Sequence, residues 1–241
     1  MRVLAFDTAT AATAVALCDG TEVTERRDDP PPGARPAHTV QLLALIAEAM
    51  EAAPAPWEGI DRIAVGVGPG TFTGLRIGVA TARALATVRG IPLVGVSTLE
   101  SLAVGGRAVP GVEVVAAVID ARRREVFAAA WRLEGAAGGE PARLGEQLLA
   151  PRPIAPGALA TELERLGGAR LAIGDGAVEF RPVLERSGAL IPEAGAEVHR
   201  VTAVNHCELA RELHAGTPDQ VRPEYLRLPD AEIARPTSQS R

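Results

Sequence analysis

The sequence contains no lysine, so all 25 of its basic residues are arginine. This absence excludes a Walker-type phosphate loop and every mechanism that passes through a lysine Schiff base. Only two cysteines occur, Cys18 and Cys207, and their separation matches no spacing that is typical of a metal or redox motif. We therefore expect reduced, buried thiols, as in a cytoplasmic protein.

Long apolar runs are also absent: no stretch of about 18 apolar residues occurs, and no charged leader with a cleavage site precedes the first strand. We expect a protein that is neither exported nor membrane-spanning. The formal charge of −5 argues against a chain that grips a nucleic acid backbone by itself, because phosphate neutralisation needs a clustered basic face. The 241 residues, 47% of them hydrophobic, suffice for the core of one or two domains.

The first third of the chain alternates strand and helix patterns. Apolar or alternating runs predict three short strands, then helix, strand, helix and strand, and a proline-rich stretch at residues 28–36 predicts a loop. This order indicates parallel pairing with right-handed crossovers, as in a ribonuclease-H-like unit. The predicted elements span residues 3–6, 14–18, 22–26, 38–52, 63–65, 73–89 and 93–96.

A second set of elements partly repeats this order after Gly105-Gly106. Strands are predicted at 112–119, 125–132 and 170–173, helices at 156–166 and 201–214, and a loose linker at 135–140. We therefore predict two α/β lobes. Residues 1–106 form the first, residues 107–214 form the second and more degraded one, and residues 215–241 return to the first.

A glycine-rich segment at residues 66–76 follows a predicted strand and opens a helix. Unpaired N–H groups at a helix N-terminus favour anions, and glycines let a phosphate approach the backbone. The segment contains neither a Walker loop nor a dinucleotide fingerprint. The pattern predicts either an anion-binding turn or a tight turn in which Thr71 or Thr73 caps the helix.

Two first-lobe helices carry more apolar or small residues than one sheet requires. The helix at 38–52 is apolar on more than one side, and on the helix at 73–89 small residues recur every four positions. Such faces suit close approach by a partner helix, or burial against the chain's own sheet. The recurring small residues are Gly74, Gly78, Ala82 and Ala86.

Other candidate chemistry is weak. His199, His206 and His214 are spaced seven and eight residues apart without an acidic cluster, so we expect solvated or capping roles rather than a metal site. None of the five serines lies in a Gly-x-Ser-x-Gly setting. No catalytic residue is predicted.

Six segments, in order, give the chain a family resemblance. They are Asp7-Thr8-Ala9-Thr10, the helix start at residues 38–43, the glycine-rich segment, residues 90–100, Ile119-Asp120-Ala121-Arg122, and residues 223–227. In these segments the chain resembles the TsaB (YeaZ) family. The match is tight over about residues 3–127, loose through the second lobe, and returns at Tyr225.

The resemblance implies duplicated ribonuclease-H-like lobes of the actin, sugar-kinase and Hsp70 ATPase superfamily, shared with the catalytic paralogue TsaD. TsaD carries a metal-binding pair of histidines, where this chain has Thr98 and Leu102. Neither residue can replace an imidazole ligand, so we expect no metal site. The second lobe keeps only Gly174-Asp175-Gly176 in place of a long nucleotide-binding segment, so we expect it to be degenerate.

By the same resemblance, the chain is expected to be a non-catalytic subunit that binds and activates a TsaD-type subunit for threonylcarbamoyl transfer to a tRNA adenosine beside the anticodon. A TsaE-type ATPase is a further expected partner, with a homodimer when the chain is alone and tRNA reached only through the complex. No cofactor is expected on the chain alone, although ATP or ADP could lie at the shared interface.

The expected sites fall in two groups. Nucleotide or anion contacts are expected at Asp7, Thr8, Gly68, Gly70, Thr71 and Thr73. The partner interface is expected at His38, Leu42, Leu45, Gly74, Leu75, Gly78, Val79 and Ala82. Two other functions stay open: an independent hydrolase, glycoprotease-like or a weak ATPase, and a homodimeric nucleotide-binding module.

Overall fold

The computed structural model describes residues 1–31, 33–53, 57–135 and 142–227. It contains a five-stranded and a four-stranded sheet. The predicted linker at 135–140 lies almost wholly outside the described residues, as do residues 228–241 of the predicted C-terminal segment. No helix in the described ranges is long and apolar enough to cross a membrane.

The first sheet has the strand order β3-β2-β1-β4-β5. β1 pairs in parallel with β4, and β4 with β5, whereas β2 and β3 form an antiparallel meander. Five of the six residues of β1 are buried, because helices cover both faces of the sheet. The strands are β1 (Arg2–Asp7), β2 (Thr13–Asp19), β3 (Glu22–Asp28), β4 (Arg62–Gly68) and β5 (Leu93–Ser97).

Two helices, α1 (His38–Ala52) and α2 (Phe72–Arg89), pack side by side on one face of this sheet. The hydroxyl of Thr71 accepts a hydrogen bond from the N–H of Gly74 and caps α2. Gly90 ends α2 in the left-handed region, with φ of 67°, which glycine adopts without strain. The capping alternative for the glycine-rich segment is therefore confirmed for Thr71.

The second sheet has the order β8-β7-β6-β9. This repeats the order of the first four strands of the larger sheet, including a parallel pair, β6 with β9, and α4 links β8 to β9. The duplicated architecture is confirmed, and among the residues that the structure describes the second copy has four strands instead of five. Its elements are β6 (Val114–Asp120), β7 (Val126–Glu134), β8 (Arg143–Ile154), α4 (Pro156–Leu166), β9 (Arg170–Ile173), α5 (Asp175–Glu179) and α6 (Arg181–Leu184).

Each sheet is covered on its second face by a helix from the other part of the chain. α7 (Ala203–Glu212), which we predicted within the second lobe, packs on the first sheet through Ala203, Cys207 and Ala210. α3 (Thr98–Gly105), which falls within residues 1–106, packs on the second sheet. We predicted no helix at residues 98–105; α3 and α7 each pack on the apolar face that the other sheet would leave uncovered.

The segment after α7 returns to the first sheet. Gly216 pairs with Leu93 of β5, and the N–H of Glu224 donates to the carbonyl oxygen of Val67 at 2.8 Å. Both cysteines are free thiols and lie buried, as predicted.

Candidate functional site

Asp7 ends β1 inside the molecule, with 1% of its surface exposed. Its Oδ2 accepts hydrogen bonds from the Thr98 hydroxyl at 2.9 Å and pairs with His206 Nε2 at 3.0 Å, and its Oδ1 accepts from the N–H of Ala9 at 2.7 Å. This carboxylate joins β1, α3 and α7. It is thus a structural joint rather than the ligand-facing group that we predicted.

Burial is the largest influence on the pKa of Asp7 and acts to raise it. The hydrogen bond and charge of His206, together with the bonds from Ala9 and Thr98, outweigh burial and hold the pKa below its ordinary value. Asp7 is therefore ionised in the folded protein at neutral pH. His206 itself is fully buried, so of the solvated and capping roles that we predicted for it the solvated one is wrong.

Ser101, His206 and Asp7 form a hydrogen-bonded chain that the sequence does not predict. Ser101 Oγ lies 2.7 Å from Nδ1 of His206, whose Nε2 faces Asp7. The residue types match those of a hydrolase triad. However, Ser101 and His206 are both 0% exposed, so no substrate reaches the hydroxyl in this structure.

The glycine-rich turn is closed by the chain's own backbone. A Cβ on Gly70 would lie 2.3 Å from the carbonyl oxygen of Ala9, and one on Gly74 would lie 1.9 Å from that of Thr8. These glycines are therefore required by the turn after β1, which occupies the space that we predicted for a phosphate.

The predicted anion-site residues accordingly divide into buried and accessible groups. Thr8 is buried and donates its hydroxyl proton to the carbonyl oxygen of Gly74 at 2.7 Å, and Gly68 is buried against Leu75 and Glu224. Gly70 and Thr71 are half-buried, and Thr73 is exposed. An anion site at this turn stays a prediction for these last three residues only.

His38 begins α1 against the same turn and is 3% exposed. Its Nδ1 lies 2.8 Å from the hydroxyl of Thr13. Burial lowers the pKa of His38, and the partial opposition of Asp7, Thr10 and Asp28 leaves it below the ordinary value. The imidazole is therefore neutral at pH 7.

The eight residues of the predicted partner interface lie inside the chain. All are buried, and their helices pack them against the first sheet or the turn after β1. This corrects the predicted face: the side with the small residues points inward. The reason is close packing, since a Cβ on Gly78 would lie 2.5 Å from Thr8 Oγ1.

The opposite sides of the two helices are exposed and apolar. Val40, Leu43 and Val88 are exposed to 73%, 56% and 81%. Smaller apolar residues continue both faces at intervals of three or four positions, which keeps them on one side of each helix. We call this surface the outer α1–α2 face; it comprises Val40, Leu43, Ala44, Ala47, Ala80, Ala84 and Val88.

A small cleft lies between the two sheets. It encloses about 180 Å³ and is lined by the turn after β1 and by Ile119, Asp175 and Arg200. Sites for drug-sized ligands usually span about 300–1,000 Å³, so the cleft does not fit a nucleotide in this structure. Burial raises the pKa of Asp175, whose Oδ1 accepts from the N–H groups of Asp120 and Gly176.

The turn after β6 has an unusual backbone. Arg122, Arg123 and Arg124 all have positive φ, at 62°, 55° and 63°, and we call residues 122–124 the left-handed turn. This conformation costs an L-residue other than glycine roughly 1–2 kcal/mol. Hydrogen bonds hold it, since Asp120 Oδ1 accepts from the N–H of Arg122 at 2.8 Å and the N–H of Glu125 donates to the carbonyl oxygen of Arg122 at 3.1 Å.

Thr98 and Leu102, which stand at the positions of the paralogue's two metal-binding histidines, have structural contacts. Thr98 donates to Asp7, and Leu102 packs in the core that α3 shares with the second sheet. Across the described ranges, no three His, Cys, Asp or Glu side chains come together as metal ligands would.

Comparisons with known proteins agree with this fold. The model of the TsaD family, tRNA N6-adenosine threonylcarbamoyltransferase, matches residues 30–165. A solved structure named YeaZ from Pseudomonas aeruginosa is 26% identical, with a TM-score of 0.73 over 93% of this chain and 99% of that one. A ROK hexokinase from Thermus thermophilus is 14% identical, with a TM-score of 0.50 over 87% of this chain and 100% of its own, which shows the fold alone. The predicted α/β fold is confirmed.

A relative of nearly the same length is tRNA threonylcarbamoyladenosine biosynthesis protein TsaB of Escherichia coli K12. It is 30% identical over 233 residues, which cover 94% of this chain and 95% of the relative. The chain belongs to the TsaB (YeaZ) family.

Proposed function

We propose that this chain acts in tRNA threonylcarbamoyladenosine biosynthesis as a non-catalytic subunit that binds and activates a TsaD-type catalytic subunit. The name of the Escherichia coli relative indicates the pathway, and the match to the TsaD family model supports a partner of related fold. Activation is the part that the names leave open, and it depends on a docking surface.

The outer α1–α2 face carries this proposal. It exposes three large apolar side chains, Val40, Leu43 and Val88, on two neighbouring helices that lie over one core. Apolar surface of this kind is typical of protein interfaces. The occupant that we propose is the TsaD-type subunit, because a protein of related fold would offer an equivalent pair of helices. The interface prediction thus moves from the inner to the outer side of the same helices.

The inaccessible chemistry of the monomer supports a non-catalytic role. Ser101 and His206 are sealed in the core, and the cleft is smaller than a nucleotide site. The hydrolase alternative would require α3 and α7 to separate before Ser101 met a substrate.

The first prediction tests docking with Leu43→Glu and a matched control. Leu43 and Leu190 are 56% and 54% exposed, but Leu190 lies by the second sheet. A carboxylate desolvated at an apolar interface is costly, so Leu43→Glu should weaken capture of the TsaD-type subunit by about tenfold or more. Leu190→Glu should bind normally. Calorimetry measures the affinity of each variant for the TsaD-type subunit, and reconstituted threonylcarbamoyl transfer measures how far each variant activates it.

Equal affinities for the two variants would refute docking through this face. If the wild-type chain binds the TsaD-type subunit but does not increase the rate of threonylcarbamoyl transfer, the proposed activation is refuted and the proposed interface is not. In the absence of the TsaD-type subunit, we propose that a second copy of this chain covers the same face. A TsaE-type partner, and ATP or ADP at the shared interface, stay predictions.

A further inference from the structure

Residues 221–227 form a strap between the two sheets. Val221 packs in the core of the first sheet, and Leu226 packs against the core of the second. Arg227 donates to the carbonyl oxygen of Ala121 at 2.9 Å, and so fixes the strap beside the left-handed turn. The outward residues of the strap and the turn therefore share one surface.

At its first-sheet end, the strap completes a stack of flat side chains. The rings of Tyr225 and Phe72 lie 5.0 Å apart with an interplanar angle of 36°, and the Arg76 guanidinium lies 3.8 Å from the centre of the Phe72 ring. Arg76 Nε also donates to the Tyr225 hydroxyl at 3.3 Å. Tyr225 remains 40% exposed, so the stack offers aromatic surface beside a positive charge.

At its second-sheet end, the strap adjoins the left-handed turn. All three of its arginines are exposed, and 73% of the Arg122 side chain is accessible although it pairs with Asp120 at 3.2 Å. Arg124 forms no ion pair among the residues that the structure describes. Glu125, the nearest acidic neighbour along the chain, is paired with Arg227. The strained backbone thus displays guanidinium groups where glycine would fit at lower cost.

An RNA loop matches both ends of this surface. Single-stranded RNA is recognised by stacking of unpaired bases on aromatic rings and guanidinium planes, and its phosphates bind arginine. An acidic peptide would use the arginines but would leave the Tyr225 and Phe72 rings without a role. The combination therefore favours RNA over a peptide of the same charge.

We propose that the strap and the left-handed turn form a contact surface for an RNA loop. A base stacks on the exposed ring of Tyr225, which Phe72 and Arg76 support from within the protein, and the phosphates bind Arg122 and Arg124. That the RNA is a tRNA rests on the proposed function. The contact would be an auxiliary one, weak in isolation because the chain carries a formal charge of −5. This refines the prediction that tRNA is reached only through the complex.

The test is fluorescence anisotropy of a labelled tRNA anticodon stem-loop, titrated with the chain alone and with its complex with the TsaD-type subunit. Salt is varied from about 50 to 200 mM. Arg124→Glu should weaken binding about tenfold and reduce the slope of log affinity against log salt by about 1. Tyr225→Ala should also weaken binding about tenfold, whereas Tyr225→Phe keeps the ring and should bind as the wild type.

The matched control is Arg165→Glu, at an exposed arginine of α4 on the second lobe. Equal RNA affinity for Arg124→Glu and Arg165→Glu, in the chain and in the complex, would overturn the proposal. The proposal would also be overturned if polyglutamate bound as tightly as the RNA and Tyr225→Ala did not change its affinity, because that result would indicate an acidic peptide as the ligand. Capture of the TsaD-type subunit by Arg124→Glu should stay normal, so this test and that of the proposed function fail independently.

Discussion

At the residue scale, polar side chains that we predicted as ligand contacts instead form hydrogen bonds between distant parts of the chain. Asp7 bonds to residues 91 and 199 positions away, and Thr8 bonds to a carbonyl 66 positions away. An aspartate after a buried strand can be recognised in the sequence. Its partners cannot, because local patterns carry no information on which helix returns to that strand end. For the same reason the Ser101 and His206 contact escapes sequence analysis.

A second prediction concerns His38 and pH. The folded protein lowers the pKa of His38 below its ordinary 6.5, so the unfolded chain binds the extra proton first. Stability should therefore fall as pH drops through about 6.5, by at most about 1.4 kcal/mol per pH unit for one proton. His38→Gln should flatten this part of the curve, and it should be less stable than the wild type at pH 7.5 because the bond to Thr13 changes.

The measurement is urea denaturation at several pH values between about 5 and 8. His214→Gln serves as the control, because His214 is exposed. A pH slope that His38→Gln and His214→Gln reduce equally would show that His38 is not the titrating group.

At the element scale, helix bounds follow from the sequence better than helix faces do. The predicted spans 38–52 and 156–166 coincide with α1 and α4. The small residues of α2 correctly indicated a closely packed helix face. That face packs on the chain's own sheet and not on a partner, because the periodicity of a helix shows which residues share a face but not what the face contacts. α5 and α6 have five and four residues, too short to carry a periodic signal. The edge strand β8 contains Pro151 and Pro153. Proline is compatible with an edge strand, but in a sequence it argues against a strand, so β8 was not predicted.

A third prediction compares the two sides of α2. Gly78→Leu should overpack the joint with Thr8 and destabilise the fold by about 1–3 kcal/mol, lowering the melting temperature by several degrees. Ala80→Leu adds a leucine on the exposed side, so it should melt as the wild type. Calorimetric melts of the two variants decide this. If Ala80→Leu lowers the melting temperature and Gly78→Leu leaves it unchanged, the small-residue face of α2 does not point inward.

At the scale of the whole molecule, the two sheets do not correspond to two separable halves of the chain. A cut after residue 106 would take α7 from the first sheet and α3 from the second. The first sheet would then expose Val3, Ala5 and Ala16, which α7 buries. The predicted boundary after residue 106 stays a prediction, and in the structure α3 and α7 each pack across it.

A fourth prediction follows for fragments. Residues 1–106 alone should show no cooperative melting transition, because one apolar face of the sheet has no cover. Mixing with residues 107–241 should restore a transition, since the second fragment carries α7. Circular dichroism during heating is sufficient. A sharp transition of residues 1–106 alone would show that the first sheet needs no second cover.

The exchange of α3 and α7 also determines how the molecule responds to force. The two helices meet where Asn205 Nδ2 donates to the carbonyl oxygen of Ser101 at 2.9 Å and Ser101 Oγ contacts His206. Spreading the cleft would have to break these bonds, of which the contact between Ser101 and His206 is fully buried and its groups are costly to leave unpaired. We therefore expect the two sheets to move as one body when a partner pulls on the outer α1–α2 face, because these contacts between α3 and α7 oppose opening of the cleft.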